Sequence, residues 1–175
     1  MREVYGSSEP IPLHSPQFSG HELEYVKNTI ESTFVSSVGS YVVDFENALR
    51  EYTGATSVTA VVNGTAALHV ALKMAGVEAG DYVVTQSLTF VATCNALHNM
   101  GATPIFVDVS KKSMGICPKA LSEFLEQNAL VDERGCRLKS TGGNIKAVVP
   151  MHTFGHPVEL DELVAVCNHW SLVLV

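Results

Sequence analysis

The stretch Val58-Thr-Ala-Val-Val-Asn63-Gly64-Thr65-Ala66-Ala67-Leu68-His69-Val-Ala-Leu72 decides the fold. It opens with β-branched and small apolar residues, the pattern of a buried strand, and breaks at Asn63-Gly64. From Thr65 it continues in alanine and leucine, which are strong helix formers. The reading is strand, two-residue turn, helix N-terminus. The first turn of such a helix leaves backbone N–H groups unpaired, and its dipole favours an anion, typically a phosphate. Gly64 lets the backbone approach a ligand closely, and the Thr65 hydroxyl adds a donor. The corner therefore reads as a cup for one phosphate group. Neither a G-x-G-x-x-G nor a G-x-x-x-x-G-K-[ST] motif is present, so a dinucleotide fingerprint and a P-loop are not indicated.

The rest of the 175-residue chain alternates strand and helix. Pro10, Pro12 and Pro16 punctuate an extended arm over residues 1–18. Ser19-Gly-His-Glu22 has the form of a capping box that opens a helix with Leu23, Val26 and Ile30 on one face. Phe34–Gly39 is a small-residue loop. A second helix carries Val42, Phe45, Leu49 and Tyr52 and stops at Gly54. The helix from Thr65 stops at Gly76. Tyr82–Gln86, Pro104–Asp108 and Ile145–Val149 read as strands, and Leu172–Val175 as the start of another. Helices run from Val91 to Gly101, from Pro118 with Leu121, Phe124 and Leu125 inward, and through Leu160, Leu163, Val164 and Cys167. Residues 128–143 read as a polar, flexible loop.

This alternation argues a mainly parallel sheet covered by helices on both faces, an α/β fold. In such sheets ligands sit beyond the carboxyl ends of the strands. The cup, the Ser87–Phe90 loop and the His152–His156 loop all fall on that edge. Phe90, just past a strand, is either an ordinary core aromatic or a ring positioned to stack on a planar ligand. His152 and His156 are four apart, but Gly155 and Pro157 disfavour the helix a metal pair would need, so loop hydrogen bonding is expected. His69, among alanines and leucines, reads as a buried histidine. Asp44, Glu46 and Glu51 read as solvated helix faces.

A formal charge of −7 without a basic cluster argues against nucleic acid and anionic membranes as partners. Cys94, Cys117, Cys136 and Cys167 lack a C-x-x-C pair and read as reduced thiols. With no apolar signal core or spanning segment, a cytoplasmic protein is expected.

Several strings resemble the DegT/StrS-type sugar aminotransferases, pyridoxal-phosphate (PLP) enzymes of fold type I. They are Val62-Asn-Gly-Thr-Ala-Ala-Leu68, Leu88-Thr-Phe-Val-Ala-Thr-Cys-Asn-Ala96, Gly101-Ala-Thr-Pro-Ile-Phe-Val-Asp108 and Val149-Pro-Met-His-Thr-Phe-Gly-His-Pro157. Ile11-Pro-Leu-His-Ser-Pro and Phe34–Gly39 are most similar to the branch acting on UDP-linked 4-keto-6-deoxy amino sugars, of the legionaminic type. The resemblance implies that residues 19–175 are part of the PLP-binding large domain, cut inside the strand that begins at Leu172. It implies PLP as cofactor, with Gly64, Thr65 and Ala66 holding its phosphate and Phe90 stacking on its ring. Ser36, Ser37 and His152 would contact substrate, a UDP-linked 4-keto sugar, beside an amino donor such as glutamate, in a homodimer. The acidic partner of the pyridinium and the lysine that binds the cofactor covalently would lie past residue 175. Lys73, Lys111, Lys112, Lys119, Lys139 and Lys146 occupy other contexts, so no catalytic residue is assigned and the chain alone is expected to be inactive. Two alternatives stay open: a part of a related PLP-dependent sugar dehydratase, and a non-catalytic phosphate-binding or subunit-assembly module.

Overall fold

A computed structural model describes residues 2–6, 9–10 and 15–175. The chain divides into two compact units, Met1–Ala60 and Val61–Val175.

The first unit is helical. Arg2–Tyr5 is one helical turn (α1) where an extended arm was expected, and Pro12, with the rest of 11–14, lies outside the described residues. Helix α2 spans Glu22–Glu31 and α3 spans Ser40–Thr53. The Ser19 capping box does not form: the helix starts after His21, and Glu22 Oε2 instead accepts from Gly20 N at 2.9 Å. Gly54 ends α3 as expected, in the left-handed region at φ +71°, with its N–H donating to Arg50 O. Neither α2 nor α3 buries a single residue, and Leu23, Val26, Ile30, Phe45, Leu49 and Tyr52 are all exposed. Two short helices and one loop cannot surround a core by themselves, so their apolar faces remain open within this unit.

The second unit carries the sheet. The run Val58–Val62, read as a strand, joins no ladder, and Val62 is 89% exposed. β-Branched composition suits a strand, but a strand exists only when a neighbour pairs its N–H and C=O groups. No strand does so here among the described residues, and Ala60 N–H donates instead to Glu46 Oε1 at 2.8 Å, so Glu46 is not the solvated carboxylate expected. Helix α4 (Gly64–Met74) follows directly and ends in a turn at Gly76, φ +79°. His69 on this helix is exposed, not buried.

Strands β1 (Tyr82–Gln86), β2 (Thr103–Val107), β5 (Ile145–Val149) and β6 (Val173–Leu174) form a parallel sheet in the order β2-β1-β5-β6. Side chains alternate across it. Val84 and Val148 face one core with Leu121 and Leu125 of α6 (Pro118–Asn128) and Leu163 and Cys167 of α7 (Leu160–His169). Val83 and Ala147 face the other, with Leu72 of α4 and Ala96 and Leu97 of α5 (Val91–Asn99). Each fully buried leucine contributes roughly 1.5–3 kcal/mol, so these few helix contacts hold both faces.

Residues 129–138 are a hairpin, β3 (Ala129–Asp132) and β4 (Gly135–Leu138), where a flexible loop was expected. Asp132 fixes its turn by accepting from Arg134 N at 2.9 Å and from the Arg137 guanidinium. Cys136 and Leu138 alternate into the core with Ala129, while Leu130 and Val131 stay exposed.

Burial pushes the thiols of Cys136 and Cys167 up to about 11, whereas Cys94 and Cys117 are half-buried. Because the thiolate is the reactive form, iodoacetamide at pH 8 is expected to modify Cys94 and Cys117 well before Cys136 and Cys167, as read by peptide mass. Denaturant should make all four react alike. Equal native rates would contradict this packing.

Candidate functional site

Helix α4 runs from the Asn63-Gly64 corner into the turn before β1, and it lies on the sheet through Leu68 and Leu72. Its N-terminus therefore points toward the carboxyl ends of the strands. Asn63 is the N-cap in extended backbone, and its Oδ1 accepts from Ala66 N at 2.9 Å. A cap of this kind is worth about 1 kcal/mol. It also decides which donors remain. Ala66 N–H, expected on a phosphate, is already taken by Asn63, and Ala67 N–H closes on Asn63 O at 3.0 Å. Among the described residues Gly64 N–H and Thr65 N–H donate to no protein group. A Cβ added at Gly64 would meet nothing within 4 Å, so the approach to these donors is open. Two free N–H groups, an adjacent hydroxyl and the positive end of an 11-residue helix fit one phosphate group.

Phe90 stands at the N-cap of α5 and is 71% exposed, which excludes the core-aromatic reading. His152 is exposed, and its Nδ1 accepts from Val158 N at 3.2 Å, the loop role expected for it. The cup, Phe90 and His152 share the second unit and its carboxyl edge. Ser36 and Ser37 belong to the first unit, where Ser36 Oγ accepts from Val38 N at 3.3 Å.

The structure adds residues that the motifs did not single out. Gln86 closes β1 and is fully buried. Its Nε2 donates to Leu88 O at 2.8 Å and Thr153 Oγ1 at 3.0 Å, with Met114 O at 3.3 Å sharing one of the two protons, and its Oε1 accepts from Met151 N at 3.1 Å. Thr153 Oγ1 donates in turn to Met114 O at 2.9 Å. Glu159 accepts from Ser113 Oγ at 2.6 Å and Ser110 Oγ at 2.7 Å, joining the loop after β2 to the start of α7. These two hydroxyls hold the Glu159 carboxyl below its ordinary value of 4.5. The loops cross closely at Gly115, where a Cβ would collide with Val158. The one available sequence signal was an amide side chain ending an otherwise apolar strand.

A mainly parallel sheet flanked by helices, with a phosphate-ready helix N-terminus at its carboxyl edge, is the architecture of a cofactor-binding α/β domain. Residues 16–175 match the model of the DegT/DnrJ/EryC1/StrS aminotransferase family, and the chain belongs to that family. Pyridoxal phosphate is the cofactor of these aminotransferases. The chain is 32% identical over 165 residues to GDP-perosamine synthase of Escherichia coli O157:H7, covering 94% of this chain and 41% of that protein. It is 36% identical over 165 residues to the spore coat polysaccharide biosynthesis protein SpsC of Bacillus subtilis, covering 94% and 38%. Among solved structures it resembles the aminotransferase from Psychrobacter cryohalolentis, with a TM-score of 0.75 and 28% identity, covering 91% of this chain and 36% of that one. The chain thus spans about two-fifths of the length of such relatives.

The Glu159 clamp has a testable acid limb. Its folded carboxyl titrates below the unfolded one, so its contribution is complete above the ordinary value of 4.5 and is lost as pH falls through the lowered value. Urea midpoints of the wild type and Glu159→Gln should differ at pH 7 and converge on acidification. A gap that stays constant or widens toward low pH would contradict the clamp.

Proposed function

We propose that this chain supplies the cofactor-phosphate cup and the ring-stacking surface of a PLP-dependent sugar-nucleotide aminotransferase. The observation that carries the reading is the open first turn of α4, whose Gly64 and Thr65 N–H groups have no protein acceptor among the described residues. Those two donors and the Thr65 hydroxyl hold the phosphate, with Ala66 contributing through helix geometry because its own N–H serves the Asn63 cap. Phe90 presents its exposed ring to the pyridine face. When bound, pyridoxal phosphate supplies the electron sink that lets an amino group move between carbon skeletons.

The substrate is a 4-keto-6-deoxy sugar nucleotide, the donor glutamate, and the product an amino sugar for surface polysaccharide. Ser36, Ser37 and His152 contact the substrate. The UDP form rests on the likeness of residues 11–16 and 34–39 to one family branch. A GDP-sugar is the competing reading, supported by the GDP-perosamine synthases among the relatives. The turnover belongs to a longer, homodimeric, cytoplasmic enzyme, and the 175-residue chain binds cofactor without completing the reaction.

Titrating the chain with pyridoxal phosphate and with pyridoxal, followed by absorbance, tests this. Pyridoxal phosphate should bind roughly tenfold or more tightly, since the phosphate provides charge-assisted hydrogen bonds. Inorganic phosphate should compete, and borohydride should leave no adduct on the protein. Equal affinity for the two aldehydes would remove the cup. A reduced adduct on one of the chain's lysines would show a complete covalent site within these residues.

A further inference from the structure

Gln86 is the feature of the molecule least explained by packing alone. An amide at the end of a central strand, in a site with no solvent contact, loses its hydration and must recover every hydrogen bond from protein. It does so by reaching three separate loops at once. Oε1 takes Met151 N–H, from the loop after β5. Nε2 is directed at Leu88 O in the loop that leads to Phe90, at Thr153 Oγ1, and at Met114 O in the loop after β2. Thr153 closes the set through its own bond to Met114 O. Two backbone departures from ordinary geometry lie on these loops: Met114 and Phe154 sit at φ +57° and φ +52°, where side chains rarely rest. Such conformations persist only where surrounding bonds over-determine them. A leucine or valine here would fill similar space, and would leave Met151 N–H and Leu88 O without the partner Gln86 gives them.

We propose that Gln86 is a positioning residue for the cofactor edge: its amide locks the Phe90-bearing loop to the 151–153 loop, so that the stacking ring and the His152 segment are held as one surface. The role rests on the cofactor reading above, and it acts through the loops, not by contact with the cofactor phosphate. It divides the site into two parts. The cup is built by the Asn63 cap on α4 and owes nothing to Gln86, whereas the ring-facing surface depends on it.

That division sets the experiment. Gln86→Met keeps the approximate volume and removes every side-chain hydrogen bond, and Thr153→Val removes the links of Thr153 to Gln86 and to Met114 O while keeping the branched shape and the Gln86–Met151 bond. Both variants and the wild-type chain are titrated with pyridoxal phosphate and with inorganic phosphate, and amide hydrogen exchange is followed by mass spectrometry. In Gln86→Met, affinity for pyridoxal phosphate should fall roughly tenfold with inorganic phosphate unchanged, since preorganisation of only one part is lost. Exchange should quicken together at residues 88–90 and 151–153, while the β1 and β5 interiors stay protected. Thr153→Val should show the same split, smaller.

A parallel loss of both ligands, or quickened exchange throughout the sheet, would reduce Gln86 to a folding residue and overturn the proposal. Unchanged exchange, or a change at one loop only, would overturn it as well. If the wild type takes up neither ligand while the two loops still loosen together, the cofactor reading fails and the coupling by Gln86 stands.

Discussion

The structure depends on the pairing of β1 with strands on both sides. Its N–H and C=O groups are satisfied by β2 and β5, so Val83 and Val84 can be driven into opposite cores without leaving a backbone group unpaired. A parallel sheet must be covered on both faces, and α4 with α5 and α6 with α7 meet that demand through few, fully buried leucines. The chemistry sits where this order ends. Beyond the last ladder bond of each strand the backbone needs new partners. Gln86 and Thr85 supply several, with Thr85 Oγ1 donating to Val149 O at 2.8 Å.

The same rule separates the legible parts of the sequence from the hidden ones. Ile145–Val149 and Val58–Val62 look alike as β-branched runs, and composition cannot distinguish them. One lies between two pairing strands, whereas the other has no ladder among the described residues. Helix ends were readable because Gly54, Gly76 and Gly101 take left-handed backbone, a property of the residue itself. The hairpin over 129–138 was obscured because its exposed residues mix Leu130 and Val131 with Asp132 and the polar turn. Within it Ala129, Cys136 and Leu138 are buried, too short an alternation to stand out beside Glu133, Arg134 and Lys139.

The site was legible in the same uneven way. The turn at Asn63-Gly64 announced an open helix start, whereas the position of Phe90 after a strand suited a core aromatic and a stacking ring equally, and its exposure decides between them. What the residues could not announce was allocation. Asn63 was read as part of a turn, but as N-cap it consumes Ala66 N–H and leaves the donors at Gly64 and Thr65. Gln86 and Thr153 carry no local signature because, Leu88 aside, their partners lie 28 to 67 residues away. Long-range hydrogen bonding carries no local pattern.

The central claim is that the first turn of α4 is a phosphate cup with two free backbone donors. Titrating the ¹⁵N-labelled chain with inorganic phosphate and following each backbone amide by NMR tests it most directly. The account predicts that Gly64 and Thr65 show the largest, saturable shifts, with Ala66 moving less because Asn63 already holds its proton. Shifts concentrated elsewhere on the chain, or none at these two amides, would contradict it.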